Sequence, residues 1–149
     1  MKILKTLATV LAADLLSLFI GLTLAVSSGM VARIISAVCT SGILICVLGS
    51  FASKTAEEDE KKPSSVMPLL MGFSASIPAL LSWLILKFSD IDFYRWHKLV
   101  NGYFLQIFNF INSDASSAAL TESQIWLMLP LSFAPTAIFL ISYYLKLKK

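Results

Sequence analysis

Charge is scarce in this chain. Only 14% of its 149 residues are charged, whereas 57% are hydrophobic, a balance far from that of a soluble domain. Histidine occurs once and cysteine twice. Cys39 and Cys46 lie seven residues apart in one apolar run, about 10 Å along a helix, too far apart for a disulfide. His97 has no Cys, Asp or Glu at ligand spacing, so no metal site is expected and His97 is read as an interfacial anchor. Nucleophile elbow, phosphate loop, CxxC pair and metalloprotease helix are all missing, so neither an enzyme nor a cofactor is expected. The net charge of +3 comes from residues flanking the apolar runs, which points to lipid headgroups and away from nucleic acid.

Long apolar runs are what the chain does have. Four of them, at about 6–27, 30–52, 66–86 and 125–147, each hold roughly 20 residues, enough to cross a hydrocarbon core of ~30 Å at 1.5 Å per residue. The expected fold is an all-α integral membrane protein: four transmembrane helices in a single membrane domain over 1–149. The first run exceeds the ~7–15 residues of a signal-peptide core and is expected to be retained. The Ser27-Ser28-Gly29 link suits a hairpin between the first two spans, and residues 54–65, KTAEEDEKKPSS, read as a solvated polar loop.

The other long connection carries a helical pattern. Phe93, Trp96, Leu99, Val100, Tyr103, Phe104, Ile107, Phe108 and Ile111 recur at three- and four-residue intervals, with Asp92, Arg95, Lys98, Asn101, Gln106, Asn109 and Asn112 between them. That spacing predicts one amphipathic helix over about 93–112, too polar for a fifth span. It is expected to lie in the headgroup layer, anchored by Phe93, Trp96, Tyr103, Phe104 and Phe108, with its cations outward.

Basic residues set the expected orientation. Lys2, Lys5, Lys54, Lys61, Lys62, Lys146, Lys148 and Lys149 fall on one side of a four-span layout, and Arg33, Lys87, Arg95 and Lys98 on the other. Eight against four places both termini in the cytoplasm, in a multi-pass protein of the cell membrane.

Asp14 is the one acid well inside an apolar run. A carboxylate there costs at least ~2.5 kcal/mol on insertion scales, so it needs a cation, several hydrogen-bond donors, a proton or water. Counting from the span ends puts Thr40, Ser41, Ser74, Ser76, Ser132 and Thr136 at the same level, a polar belt that reads either as helix-to-helix hydrogen bonding or as a solvated cavity. Ala13, Ser17, Gly21 and Ala25 form a small-residue stripe beside Asp14, matched on the second span by Gly42, Cys46 and Ser50. Such stripes let helix backbones approach closely. Pro78, Pro130 and Pro135 predict kinks.

Asp14 with the following Gly21 resembles the first span of the small multidrug transporters, which carry a membrane-embedded carboxylate there. The resemblance covers one helix, and the long aromatic connection has no place in those compact chains. Three readings stand. The first is a subunit or accessory of a membrane complex working by helix association, with the lipid bilayer and a membrane protein or second copy as partners. A small oligomeric transporter or channel using Asp14 is the second. The third is an interfacial lipid enzyme using Asp90, Asp92 and His97.

Overall fold

The computed structural model describes residues 1–24, 29–59 and 66–148. They form α1 (Lys2–Leu24), α2 (Met30–Asp59), α3 (Met67–Phe88), α4 (Tyr94–Val100), α5 (Leu105–Ile111), α6 (Glu122–Ser132) and α7 (Ala134–Leu147). Short 3-10 turns occupy Gly102–Phe104 and Ser117–Ala119, and no strand occurs among the described residues. Four helices, counting α6 and α7 as one, are long and apolar enough to cross a membrane.

Helices α1 and α2 run antiparallel. Ser17 Oγ donates to Thr40 O at 3.2 Å midway along the pair, and Lys2 pairs with Asp59 at its far end. Of the link between them, Ser27 and Ser28 lie outside the described residues. Helix α2 runs past the expected end of its span, so residues 54–59 are helical rather than loop. Two causes act together: Ala, Glu and Lys favour helix even in water, and the extension is tied down. Asp59 accepts from Tyr143 Oη (3.3 Å) as well as pairing with Lys2, and Glu57 pairs with Lys146 at 2.7 Å. The remainder of the expected loop, 60–65, lies outside the described residues.

The fourth apolar run is two helices meeting at Phe133. Pro135 has no N–H to offer the α6 carbonyls, and Pro130 removes another donor within α6. The chain closes the gap with a tighter turn, Phe133 N–H to Pro130 O at 3.1 Å. Helix α3, by contrast, continues through Pro78.

The connection between α3 and α6 is where expectation and structure part. Instead of one helix over 93–112 there is an antiparallel helical hairpin, α4 and α5, broken at Asn101–Phe104. Tyr94 Oη donates to the carbonyls of Phe108 and Asn112, each at 3.0 Å, clamping the two arms. Lys98 Nζ reaches Asn109 Oδ1 (2.9 Å) and the carbonyls of Asn112 (2.9 Å) and Asp114 (2.7 Å). The hairpin wedges against α1, α2 and α3, and Tyr103, Phe104 and Phe108 join one core with Val10, Leu44, Met71 and Phe139.

Its polarity matches the expected one only in part: Tyr103, Phe104 and Phe108 are buried and Arg95 is exposed, but the polar positions do not all face outward. Lys98, Asn101 and Gln106 are buried, while Trp96 is 58% exposed and Phe110 48% exposed. In an apolar surrounding this is the favourable arrangement, because rings cost nothing facing lipid whereas polar groups must find partners inside the protein.

Candidate functional site

The tip of the hairpin comes down on Asp14. Asp14 sits ten residues in from the Leu24 end of α1, about 15 Å along the axis, close to the helix midpoint. Its Oδ1 accepts the backbone N–H of Gly102 at 2.5 Å, the Tyr103 N–H faces the same carboxylate, and the side chain is 7% exposed. On the opposite side of the tip, Ser41 of α2 donates through Oγ to Tyr103 O at 3.3 Å. Asn101 has φ −124° and ψ 46°, outside the helical range, so the helical ladder breaks here: Phe104 N–H still reaches Asn101 O at 2.8 Å, but the Gly102 N–H and Tyr103 O take partners outside the stretch. Asp14 and Ser41 supply what the broken helix lacks.

A larger residue at 102 would have to displace Leu18. A Cβ there would overlap the Leu18 side chain and stand 3.1 Å from Asp14 Oδ1. The glycine brings the backbone close enough for its N–H to reach the carboxylate.

A second polar cluster lies between α3 and the hairpin. Ser82 Oγ is 2.9 Å from His97 Nδ1, donates to Ala79 O (2.8 Å) and accepts from Asn101 Nδ2 (3.1 Å). Asn101 Nδ2 also reaches His97 O (2.8 Å), and Tyr103 Oη donates to Asn101 Oδ1 (3.3 Å). With the one Ser82 proton committed to Ala79, Nδ1 carries the imidazole proton and Nε2 is left bare, buried and without a partner beside the Phe108 ring. Burial pushes the His97 imidazole down to about 4, with its contact to Ser82 opposing. A histidine donating through Nδ1 to the serine is not the base of a nucleophilic pair. This cluster instead locks α4 to α3, and His97 is a buried group rather than an interfacial anchor.

The acids suggested as its catalytic partners are elsewhere. Asp92 Oδ1 accepts the Ser117 N–H at 2.5 Å, which holds its carboxyl below the usual range, and Ser117 Oγ in turn accepts the N–H groups of Phe93 and Tyr94, each at 2.9 Å. Asp92 thus braces the start of α4, while Asp90 is exposed. Burial lowers Lys98 to about 8, opposed by Asp114, so at neutral pH it remains an ammonium clamped by three oxygens.

The polar belt divides into separate groups. Asp14, Ser17, Thr40 and Ser41 gather around α1, α2 and the hairpin tip. Ser76 and Thr136 form a pair between α3 and α7, where Ser76 Oγ accepts Thr136 N–H (3.0 Å) and Oγ1–H (2.7 Å) and Thr136 Oγ1 reaches Gly72 O (2.9 Å). Ser74 and Ser132 are buried but bond back to their own helices, to Met71 O and Met128 O. No single layer links the four spans among the described residues.

The small-residue stripes also divide. Ala13, Ser17 and Gly21 are buried, and a Cβ on Gly21 would meet Thr40 Cγ2 at 3.6 Å. Ala25 lies outside the described residues. On α2 the face turned to α1 carries Ser36, Thr40, Leu44 and Leu48 rather than Gly42, Cys46 and Ser50. Cys46 and Ser50 are exposed, and nothing lies within 4 Å of a Cβ built on Gly42. Cys46, Gly49, Ser50 and Ser53 instead line an open groove of about 690 Å³ beside Ser142 of α7.

Of the expected anchors, Trp96 is exposed, Phe93 is half-buried, and Tyr103, Phe104 and Phe108 pack inside. The hairpin tip, with Gly102 as its contact to Asp14, was missed from sequence, although Asn101-Gly102 is a turn-forming pair. No family model, curated protein or solved structure matches the chain.

Proposed function

We propose that this is a multi-pass protein of the cell membrane, both termini cytoplasmic, that works by helix association as a subunit or accessory of a membrane complex. The hairpin enters the outer leaflet and returns, and Asp14 serves it as a structural acceptor. The observation that carries the reading is the outward face of α2. Cys46 and Ser50 are exposed there and line the groove beside α7, with Gly42 one turn before Cys46 on the same face, so another transmembrane helix could approach closely. Ser50 and Cys46 on that face offer a hydroxyl and a thiol to a partner rather than bulky apolar groups to lipid.

The test is site-specific photo-crosslinking in native membranes from positions 46 and 50, with Leu15 on α1 as the lipid-facing control. Both groove positions should give the same discrete adduct with a different polypeptide. Gly42→Leu, at a position where an added Cβ has nothing within 4 Å, should abolish the adduct and leave folding intact. An adduct of twice the chain mass would support self-association instead, and none at all would end the reading.

Transport through Asp14 is the second reading, favoured by the placement of a carboxylate at the tip of a broken hairpin near mid-depth. It requires Asp14 to release Gly102 during a cycle. Asp14→Asn would then leave a folded protein without proton-coupled flux in liposomes, whereas a structural Asp14 predicts no such flux in either form.

A further inference from the structure

At the end of the bundle where α1 begins and α2 ends, Lys2, Lys5 and Lys54 line a cavity of about 380 Å³ with Glu58 on its rim and Phe51 and Met71 among its walls. That volume falls within the ~300–1,000 Å³ of small-ligand clefts. Its lining carries three lysines and one acid, and a second acid, Asp59, pairs with Lys2 from outside the lining. Lys2 is anchored by Asp59, itself held by Tyr143, so one cation is fixed in place. Lys5 and Lys54 are exposed and make no direct ion pair among the described residues, though Lys54 is close enough to Glu57 for its charge to favour that carboxylate.

Their position along the helices decides what they attract. The cavity lies where the apolar stretches of α1 and α2 give way to charge, the level at which lipid phosphates sit. Beside it, Ile3 and Leu4 of α1 are exposed and apolar. A ligand held here therefore meets cations at its head and apolar surface below. Basic pockets between helix ends recognise anionic headgroups in this way.

We propose that this cavity binds the phosphate of an anionic phospholipid, with Lys5 and Lys54 as its exposed cations and Lys2 as the fixed one. The site shares Lys54 with the groove between α2 and α7 but draws Lys2 and Lys5 from α1, so loss of lipid binding and loss of the crosslinked partner are read separately.

Purified full-length protein, delipidated in mild detergent, would be titrated at low salt with dioleoyl phosphatidylglycerol or dioleoyl phosphatidylcholine in mixed micelles and read by native mass spectrometry. Phosphatidylglycerol should bind preferentially, and Lys5→Gln with Lys54→Gln should weaken it by roughly 30-fold, the combined effect of two interfacial cations. Lys5→Arg with Lys54→Arg should retain the preference, which separates charge from fold. Arg33→Gln with Arg95→Gln, an equal loss of charge off the cavity, should change little. Equal binding of the two lipids, or equal loss in both Gln pairs, would overturn the site. Millimolar inorganic phosphate should not displace the lipid. If it does, the lipid assignment falls and the cavity is one for free phosphate.

Discussion

Asp14 and Gly102 make one feature between them. Among the described residues no cation pairs with the acid, yet a backbone N–H reaches it from 88 positions away in sequence. Asp14→Leu leaves that N–H without an acceptor in a dry surrounding and should cost about 1–3 kcal/mol. Asp14→Asn keeps an oxygen there and should cost distinctly less, both measured by reversible unfolding in mixed micelles. His97 supplies a pH dependence. Its folded value near 4 lies below its ordinary 6.5, so between those limits the unfolded chain binds the extra proton and stability rises with pH. Stability should thus be complete above about pH 6.5 and fall by on the order of 2–3 kcal/mol toward pH 4. His97→Gln should flatten that part of the pH profile; an unchanged slope would mean that His97 is solvated.

The elements differ in how visibly they are written. The four long helices follow from unbroken apolar runs, and Asp14 stands out because a carboxylate inside one is costly. The hairpin was not legible, because a 3.6-residue period shows that a segment is helical without showing which face turns inward. Tyr94, His97 and Lys98 on α4, and Asn101 just beyond its end, turn inward through contacts with residues distant in sequence, Ser82 and Asn112 among them. The Phe133 break was half legible: Pro130 and Pro135 foretold a disturbance, but not that Ser76 would cap the Thr136 N–H it releases. Thr136→Val removes the hydroxyl that bonds Ser76 and Gly72 across the α3–α7 contact. It should destabilise the bundle by about 0.6–1.7 kcal/mol, the range for hydrogen bonds between membrane helices, with thermal unfolding in detergent as the check. No loss would mean that the two hydroxyls exchange for other partners without cost.

As a whole, the molecule pairs a four-helix scaffold with a hairpin packed against three of its helices. Non-helical backbone is tolerated at membrane depth only when protein surrounds it, and Asn101–Phe104 meet that condition, buried between α1, α2 and α3. The central claim is that the chain enters and leaves the hairpin on the same side of the membrane. The direct test is cysteine accessibility in intact cells, with Cys39→Ser and Cys46→Ser as the background and single cysteines placed by Asp90→Cys, Ser113→Cys and Lys148→Cys. An impermeant maleimide should label positions 90 and 113 from outside and leave position 148 untouched until the cells are opened. Labelling at 90 but not at 113, with position 148 reached from outside, would make the hairpin a fifth crossing and contradict the account.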